Sequence, residues 1–180
     1  VAQVREMILS VGNSGFEKGD FSYWILKGST DANYATSVDS TMLYGQSALN
    51  GVDDSEFCHS GLFGGFLGET NRLGTLSQRL PTAAGRRYRI SFWYANLLSG
   101  GPNQFQVLWN GKALLDQSNL GAVDWTRQIF LVSATGSLTT LQFGFRNDPN
   151  AFALDDVRVE EIRPPSISRI ERTPVGSIRL

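Results

Sequence analysis

The chain has 180 residues, 41% of them hydrophobic and 18% charged, with a formal net charge of −1. That supports one well-filled core, and it excludes a disordered chain and a protein with a basic footprint for nucleic acid. No apolar run approaches the roughly 18 residues of a membrane-crossing helix. One Cys, Cys58, and one His, His59, exclude an internal disulfide and a zinc site with several imidazole ligands.

The 19 glycines, and helix formers that gather nowhere, favour an all-β chain with many turns. Residues 1–11 read as a lead-in, with at most an edge strand in 1–9. Over 12–24 the glycines mark turns, and Phe16, Phe21 and Trp24 anchor the edge of a core. Residues 28–54 are polar and turn-rich, a short strand and a long loop. Residues 58–68 set Gly61, Gly64, Gly65 and Gly68 among Leu62, Phe63 and Phe66, and read as a glycine-rich buried strand. They lack the spacing of a phosphate-binding glycine loop.

The clearest strands follow. One spans 73–80. In the next, Tyr88, Ile90, Phe92 and Tyr94 face one way, and Arg89, Ser91 and Trp93 the other. Phe105, Val107 and Trp109 alternate with Gln104, Gln106 and Leu108, and Asn110-Gly111 then signals a hairpin turn. Residues 128–132 are apolar enough to predict a strand buried on both faces. Leu141, Phe143 and Phe145 alternate with Gln142 and Arg146. Many short strands separated by turns predict a β-sandwich of two antiparallel sheets.

The last strand, 152–159, organises the rest. On a period of two, Asp155 shares a buried face with Val157 and Val159, while Asp156 and Arg158 face away. An inward carboxylate needs compensation: a cation, an Arg, or a set of backbone N–H groups. From the residues alone, an ion and the N–H groups are both open. After Ile162, Arg163-Pro164-Pro165 breaks the strand pattern. Residues 163–180 read as a Pro-rich linker and the opening of a fibronectin- or immunoglobulin-like neighbour, so the chain is expected to be part of a longer modular protein.

If the strands share one sheet, the outward face collects Trp93, Arg89, Gln104, Gln106, Gln142 and Arg146. Sugars suit this mix, because an aromatic ring stacks on a pyranose and planar amides and guanidinium groups pair with vicinal hydroxyls. Any solvated sheet face carries similar polar residues, so the pattern alone does not decide. The loop 147–150 is an alternative rim. Tyr34, Tyr44 and Trp125 default to packing.

Catalysis finds no support. Cys58 and His59 are neighbours, so on a strand they point to opposite faces and form no dyad. There is no G-x-S-x-G elbow. An acid pair for glycoside hydrolysis is open in principle among the 17 carboxylates.

Three blocks together resemble a known family: Asn13-Ser14-Gly15-Phe16-Glu17 with Trp24, then Gly85-Arg86-Arg87-Tyr88-Arg89-Ile90-Ser91-Phe92, then Leu154-Asp155-Asp156-Val157-Arg158-Val159. They are similar to the calcium-binding jelly-roll carbohydrate-binding modules of bacterial polysaccharide-degrading enzymes, in the galactose-binding-like superfamily. They also resemble related domains of secreted bacterial proteins with cell-surface sorting signals. The likeness covers 12–162. It departs where the usual Asn-Gly-Gly-Phe-Glu reads Asn-Ser-Gly-Phe-Glu.

The resemblance implies a jelly-roll and a structural calcium held by Glu17 and Asp155, with backbone carbonyls completing the shell. Oxygen ligands of this kind suit calcium. It also implies a glycan site on a concave sheet face or at loop tips. The expected protein is a non-catalytic module that targets a larger secreted or surface-bound bacterial protein to a polysaccharide or oligosaccharide. It would contact neighbouring domains, but neither nucleic acid nor the membrane interior. The alternative is a structural or adhesive domain with a protein partner, for which Trp93 would be buried.

Overall fold

A computed structural model describes residues 7–9, 11–28, 50–53, 57–97, 100–148 and 150–163. They form β1 (Met7–Leu9), β2 (Ile25–Lys27), β3 (Gly51–Asp53), β4 (Gly64–Leu67), β5 (Gly74–Pro81) and β6 (Arg87–Asn96). Then come β7 (Asn103–Trp109), β8 (Lys112–Ser118), β9 (Val123–Ser133), β10 (Leu138–Asn147) and β11 (Phe152–Ile162). The strands make two antiparallel sheets, an all-β jelly-roll sandwich. The first runs β3-β4-β11-β6-β9, with β1 also on β11; the second runs β2-β5-β10-β7-β8. The described residues contain no helix long and apolar enough to cross a membrane.

The alternation of the sequence builds the core between the sheets. Tyr88, Ile90 and Phe92 from the first sheet meet Phe105, Val107, Leu141, Phe143 and Phe145 from the second, all of them buried. Aromatic rings interlock there: Phe92 meets Phe143 edge-on at 5.1 Å, and Tyr94 stacks on Phe105 at 5.0 Å. Such pairs add specificity to the burial of apolar area. Phe16 is fully buried and stacks on Trp24 at 5.9 Å, with Phe21 edge-on at 5.8 Å. The Asn110-Gly111 turn has φ of 49° and 81°, the two positive values that a two-residue hairpin loop needs.

Three expectations change. The glycine-rich stretch is a strand only over β4; residues 57–63 are turns and bends. β9 is not buried on both faces. It is the edge of the first sheet, and Ile129 and Leu131 are 52% and 60% exposed. An apolar run cannot distinguish an edge strand with one greasy outer face from a central strand. The third change is a bulge in β11. Its pairing with β6 shifts register between Asp155 and Arg158, where Asp156 has φ +53°. An extra residue resets the alternation: Phe152 and Leu154 reach the core before the bulge, and Val157 and Val159 after it. Asp155 therefore does not share the face of Val157 and Val159, although it is fully buried.

The expected edge strand in the lead-in is β1, which pairs with residues 159–161 of β11. Tyr34, Tyr44 and the tail from 164 lie outside the described residues.

Candidate functional site

The bulge lies in a gap of the sheet. β4 pairs with 152–154 of β11 and β1 with 159–161. Between them, the N–H of Val157 donates to the Ser14 carbonyl at 2.9 Å. The segment carrying Phe16 and Glu17 thus bridges the place where, among the described residues, the edge of β11 has no strand partner.

Asp155 pairs across the sheet with Trp93 and is roofed by a turn. Its Oδ2 accepts the N–H groups of His59 and Ser60 at 2.9 and 3.0 Å, and its Oδ1 accepts that of Asp156 at 2.6 Å. This is the N–H cradle that the residues alone left open. Burial nevertheless pushes the Asp155 carboxyl from 3.8 up to about 6, against the pull of those bonds, and the neighbouring Asp156 charge adds to the rise. Glu17 likewise accepts the N–H of Leu62 at 3.1 and 3.0 Å and that of Phe63 at 3.4 Å. Gly61, at φ +77°, is required here, since a Cβ would collide with the Glu17 carboxylate.

The two carboxylates converge. A Cβ built on Gly15 would lie 3.5 Å from Asp155 Oδ1 and 3.9 Å from Glu17 Oε1. Neither carboxylate has an ion-pair partner among the described residues. Two anionic groups facing one small gap, without a counter-charge, fit a cation with oxygen ligands. Next to them, ligand atoms of His59, Asp155 and Asp156 lie within 4.8 Å of one another and could also hold a metal.

His59, however, is already committed. Its Nδ1 donates to Asp156 Oδ2 at 2.9 Å, since an ionised carboxylate can only accept, and Ser60 Oγ donates to the same oxygen at 2.9 Å. The imidazole stacks on Trp93 at 4.0 Å and meets Trp125 edge-on at 5.3 Å. Trp125 packs against a small second cluster of Phe57, Phe66, Ala95, Ala151 and Ala153. The roles of His59 and Trp125 are thus structural. No local signal in the sequence places a turn at 57–60 over a strand 95 residues later.

The six residues expected on one face divide between two. β6 carries Arg89 and Trp93 on the first sheet; β7 and β10 carry Gln104, Gln106, Gln142 and Arg146 on the second. The inference that they share one surface is corrected, because alternation shows which residues face outward and not which sheet a strand joins. Arg89 is engaged by Glu160 on β11, through Nε at 3.0 Å and Nη2 at 2.6 Å. Trp93 is half-buried under His59.

The other four form a continuous patch. Gln104 and Gln106 donate through Nε2 to the two oxygens of Asp116 at 2.7 and 2.8 Å. Arg146 donates through Nε and Nη2 to Asp148 Oδ2 at 3.1 and 2.6 Å. Those bonds hold Asp148 below the usual carboxylate range. Arg146 pairs with Gln104, Gly144 with Gln106, and Gln142 with Leu108 and Ser77. Gly144 is needed at the centre, because a Cβ there would press on the Gln106 side chain at 2.7 Å. Planar groups are thereby oriented: the Gln carbonyl oxygens and the remaining Arg146 donors stay available. Asp116 and Asp148, which do the orienting, carry no sequence signal beyond being acidic. The loop at 147–150, expected as an alternative rim, contributes Asp148 to this arrangement.

No family model matches the chain, and no curated protein matches it. Solved structures do. A xylan-binding domain from Paenibacillus barcinonensis is 14% identical with a TM-score of 0.54, over 91% of this chain and 99% of that one. A carbohydrate-binding module solved with β-1,4-galactotriose is 19% identical with a TM-score of 0.51, over 84% and 97%. The enzymatically active domain of a tailspike from bacteriophage CBA120 is 14% identical with a TM-score of 0.57, over 86% of this chain. The chain spans 22% of that tailspike. At these identities the likeness establishes the fold, the jelly-roll found in carbohydrate-binding modules.

Proposed function

We propose that the chain is a non-catalytic carbohydrate-binding module that carries a larger secreted or surface-held bacterial protein to a polysaccharide. The observation that carries this is the patch of Gln104, Gln106, Gln142 and Arg146 around Gly144, in which Gln104, Gln106 and Arg146 are oriented. Amides and a guanidinium fixed by Asp116 and Asp148 offer paired donors and acceptors to sugar hydroxyls at little ordering cost. Two of the similar structures bear the names of sugars, a xylan and a galactotriose. A neutral glycan chain lying across the second sheet is the ligand class this chemistry suits.

A structural calcium accompanies the function. Glu17 and Asp155 would hold it beside Gly15, and it would tie the first segment to the last strand. The ion supplies positive charge to two carboxylates that otherwise lack it. No catalytic role is assigned to these two acids, since both are occupied by backbone N–H groups. The tail from 164 is taken as a linker into a neighbouring domain.

Affinity electrophoresis and calorimetry on xylans, β-1,4-galactan, β-glucans and microbial polysaccharides test the proposal. Retention on one of them, lost in a Gln142→Ala/Arg146→Ala variant, is the expected result. No retention on any of them would overturn it. Ile129 and Leu131, exposed on the edge strand β9, favour a second role as an adhesive domain with a protein partner. In that case their replacement by Lys would abolish the partner contact and leave glycan gels unaffected.

A further inference from the structure

The outer face of the first sheet, opposite the glycan patch, has a concavity of its own. It is lined by Ser91, Trp93, Arg127, Asp156 and Arg158. Three strands build it. Trp93 on β6 pairs directly with Arg127 on β9, and Ser91 on β6 pairs directly with Arg158 on β11. Directly paired residues have Cβ atoms about 5 Å apart, so each Arg begins beside the residue it flanks. At ~4.8 Å between strands, the three-strand span is about 10 Å, a width that suits one sugar ring.

The charges in it do not cancel. Asp156 is the only carboxylate in the lining, and its Oδ2 is taken by His59 and Ser60. Its Oδ1 lies 3.8 Å from Arg158. Arg127 has no ion-pair or hydrogen-bond partner among the described residues. At the floor, Ser91 is 2% exposed, and no hydrogen bond is made by its hydroxyl among those residues. Its hydroxyl lines the concavity and adds a donor there. Two guanidinium groups, a hydroxyl donor and an indole therefore converge.

We infer that this concavity is a second binding site, for an acidic sugar unit, its carboxylate taken by Arg127 and Arg158 and its ring set against Trp93. Planar guanidinium groups match a carboxylate in geometry as well as charge. The inference rests on the carbohydrate-binding proposal only for the class of ligand. The preference for an anion stands on the lining itself, and the site is separate from the patch on the second sheet.

Calorimetric titration of the intact chain with D-galacturonate and D-glucuronate, their uncharged methyl esters and sodium sulfate tests it. The acid sugars are expected to bind at least about tenfold more tightly than the esters, the scale of one charge-assisted hydrogen bond. They should also bind more tightly than sulfate. Arg127→Ala, an exposed change that should leave unfolding unaltered, is expected to weaken acid-sugar binding by about tenfold. The Gln142→Ala/Arg146→Ala variant is expected to leave that binding intact. Equal binding of acid and ester, equal binding of sulfate, or no binding of the acid sugars would each overturn the site. So would a loss confined to the Gln142→Ala/Arg146→Ala variant. Failure of every neutral polysaccharide while the acid sugars still bind would remove the patch on the second sheet and leave this site standing.

Discussion

The two outer faces of the sandwich arise from the same alternation, and they use their polar groups differently. On the first sheet, Asp155 and Asp156 reach across 95 to 97 residues to fasten the turn at 59–60. On the second, Gln104 and Gln106 bond to Asp116, 12 and 10 residues away, and Arg146 to Asp148, two residues away. Bonds over long sequence separations close loops and hold the chain together. Bonds between near neighbours only set the direction of side chains. Bonds of the first kind fail with the fold, and bonds of the second kind can be lost with the ligand while the fold stays.

The largest effect should come from Asp155. Asp155→Ala would leave the N–H groups of His59, Ser60 and Asp156 without their acceptor, and should cost about 3 kcal/mol in urea denaturation. Asp155→Asn removes a costly buried charge but keeps only one of the two acceptor oxygens, so in metal-free protein its cost should lie between zero and that of Asp155→Ala, about 1–2 kcal/mol. The difference appears on adding calcium. The parent should gain about 2.7 kcal/mol at a hundredfold excess over the dissociation constant, and the Asn variant should gain little. Equal stabilisation of both proteins would break the link between Asp155 and the ion.

The pH dependence follows from the same group. Asp155 is raised to about 6 from an ordinary 3.8, so the folded state holds its proton in a range where the unfolded chain has lost it. In metal-free protein, stability from this group is therefore largest below about pH 4 and falls as pH rises to about 6. Asp148 and Asp20, both lowered, act oppositely. Their contribution is present above about pH 4 and is lost as pH falls below it. With calcium bound, the charged form of Asp155 is favoured and the fall between 4 and 6 should vanish. Denaturation midpoints at pH 4, 5, 6 and 7, with and without calcium, read this directly.

Much of this was legible in the sequence. The alternation of Tyr88, Ile90, Phe92 and Tyr94 against Arg89, Ser91 and Trp93 predicts inward and outward sides that the structure keeps. Asn110-Gly111 marks its hairpin; Asp155 is buried as expected, but under the turn at 59–60 and not on the face of Val157 and Val159. Three things were not legible, each for a physical reason. Sheet membership is a long-range pairing, so Trp93 and Gln142 look alike locally and end up on opposite faces. The bulge at Asp156 places a non-glycine residue at positive φ, and the mild left-handed preference of Asp does not say which of the chain's Asp residues adopts it. The apolar outer face of β9 reads as a core strand because hydrophobicity does not report on what covers it.

His59 sharpens the comparison at the next scale down. His59→Ala keeps the backbone N–H that serves Asp155 and removes the ring that bonds Asp156 and stacks on Trp93. The expected cost is about 1–2 kcal/mol, one hydrogen bond and one ring contact. Because the Trp93 indole would become more exposed, its fluorescence should shift to the red. A cost near zero would mean that the turn is held by its backbone bonds alone.

The smallest effect on stability should come from the second face. Gln142 and Arg146 are half-exposed, and the bonds of Arg146 run to Asp148 two residues on. An exposed pair of that kind contributes little, because solvent screens it and two side chains must be ordered to form it. Gln142→Ala/Arg146→Ala should therefore change unfolding by less than about 0.5 kcal/mol. On the proposed function, the same variant should lose retention on the polysaccharide that the parent binds. A variant that unfolds more than about 1 kcal/mol easier would show that this face, too, holds the sandwich together. The contrast between a face that fastens and a face that presents would then be gone. Stability unchanged with binding lost would place the two roles on opposite sides of one core.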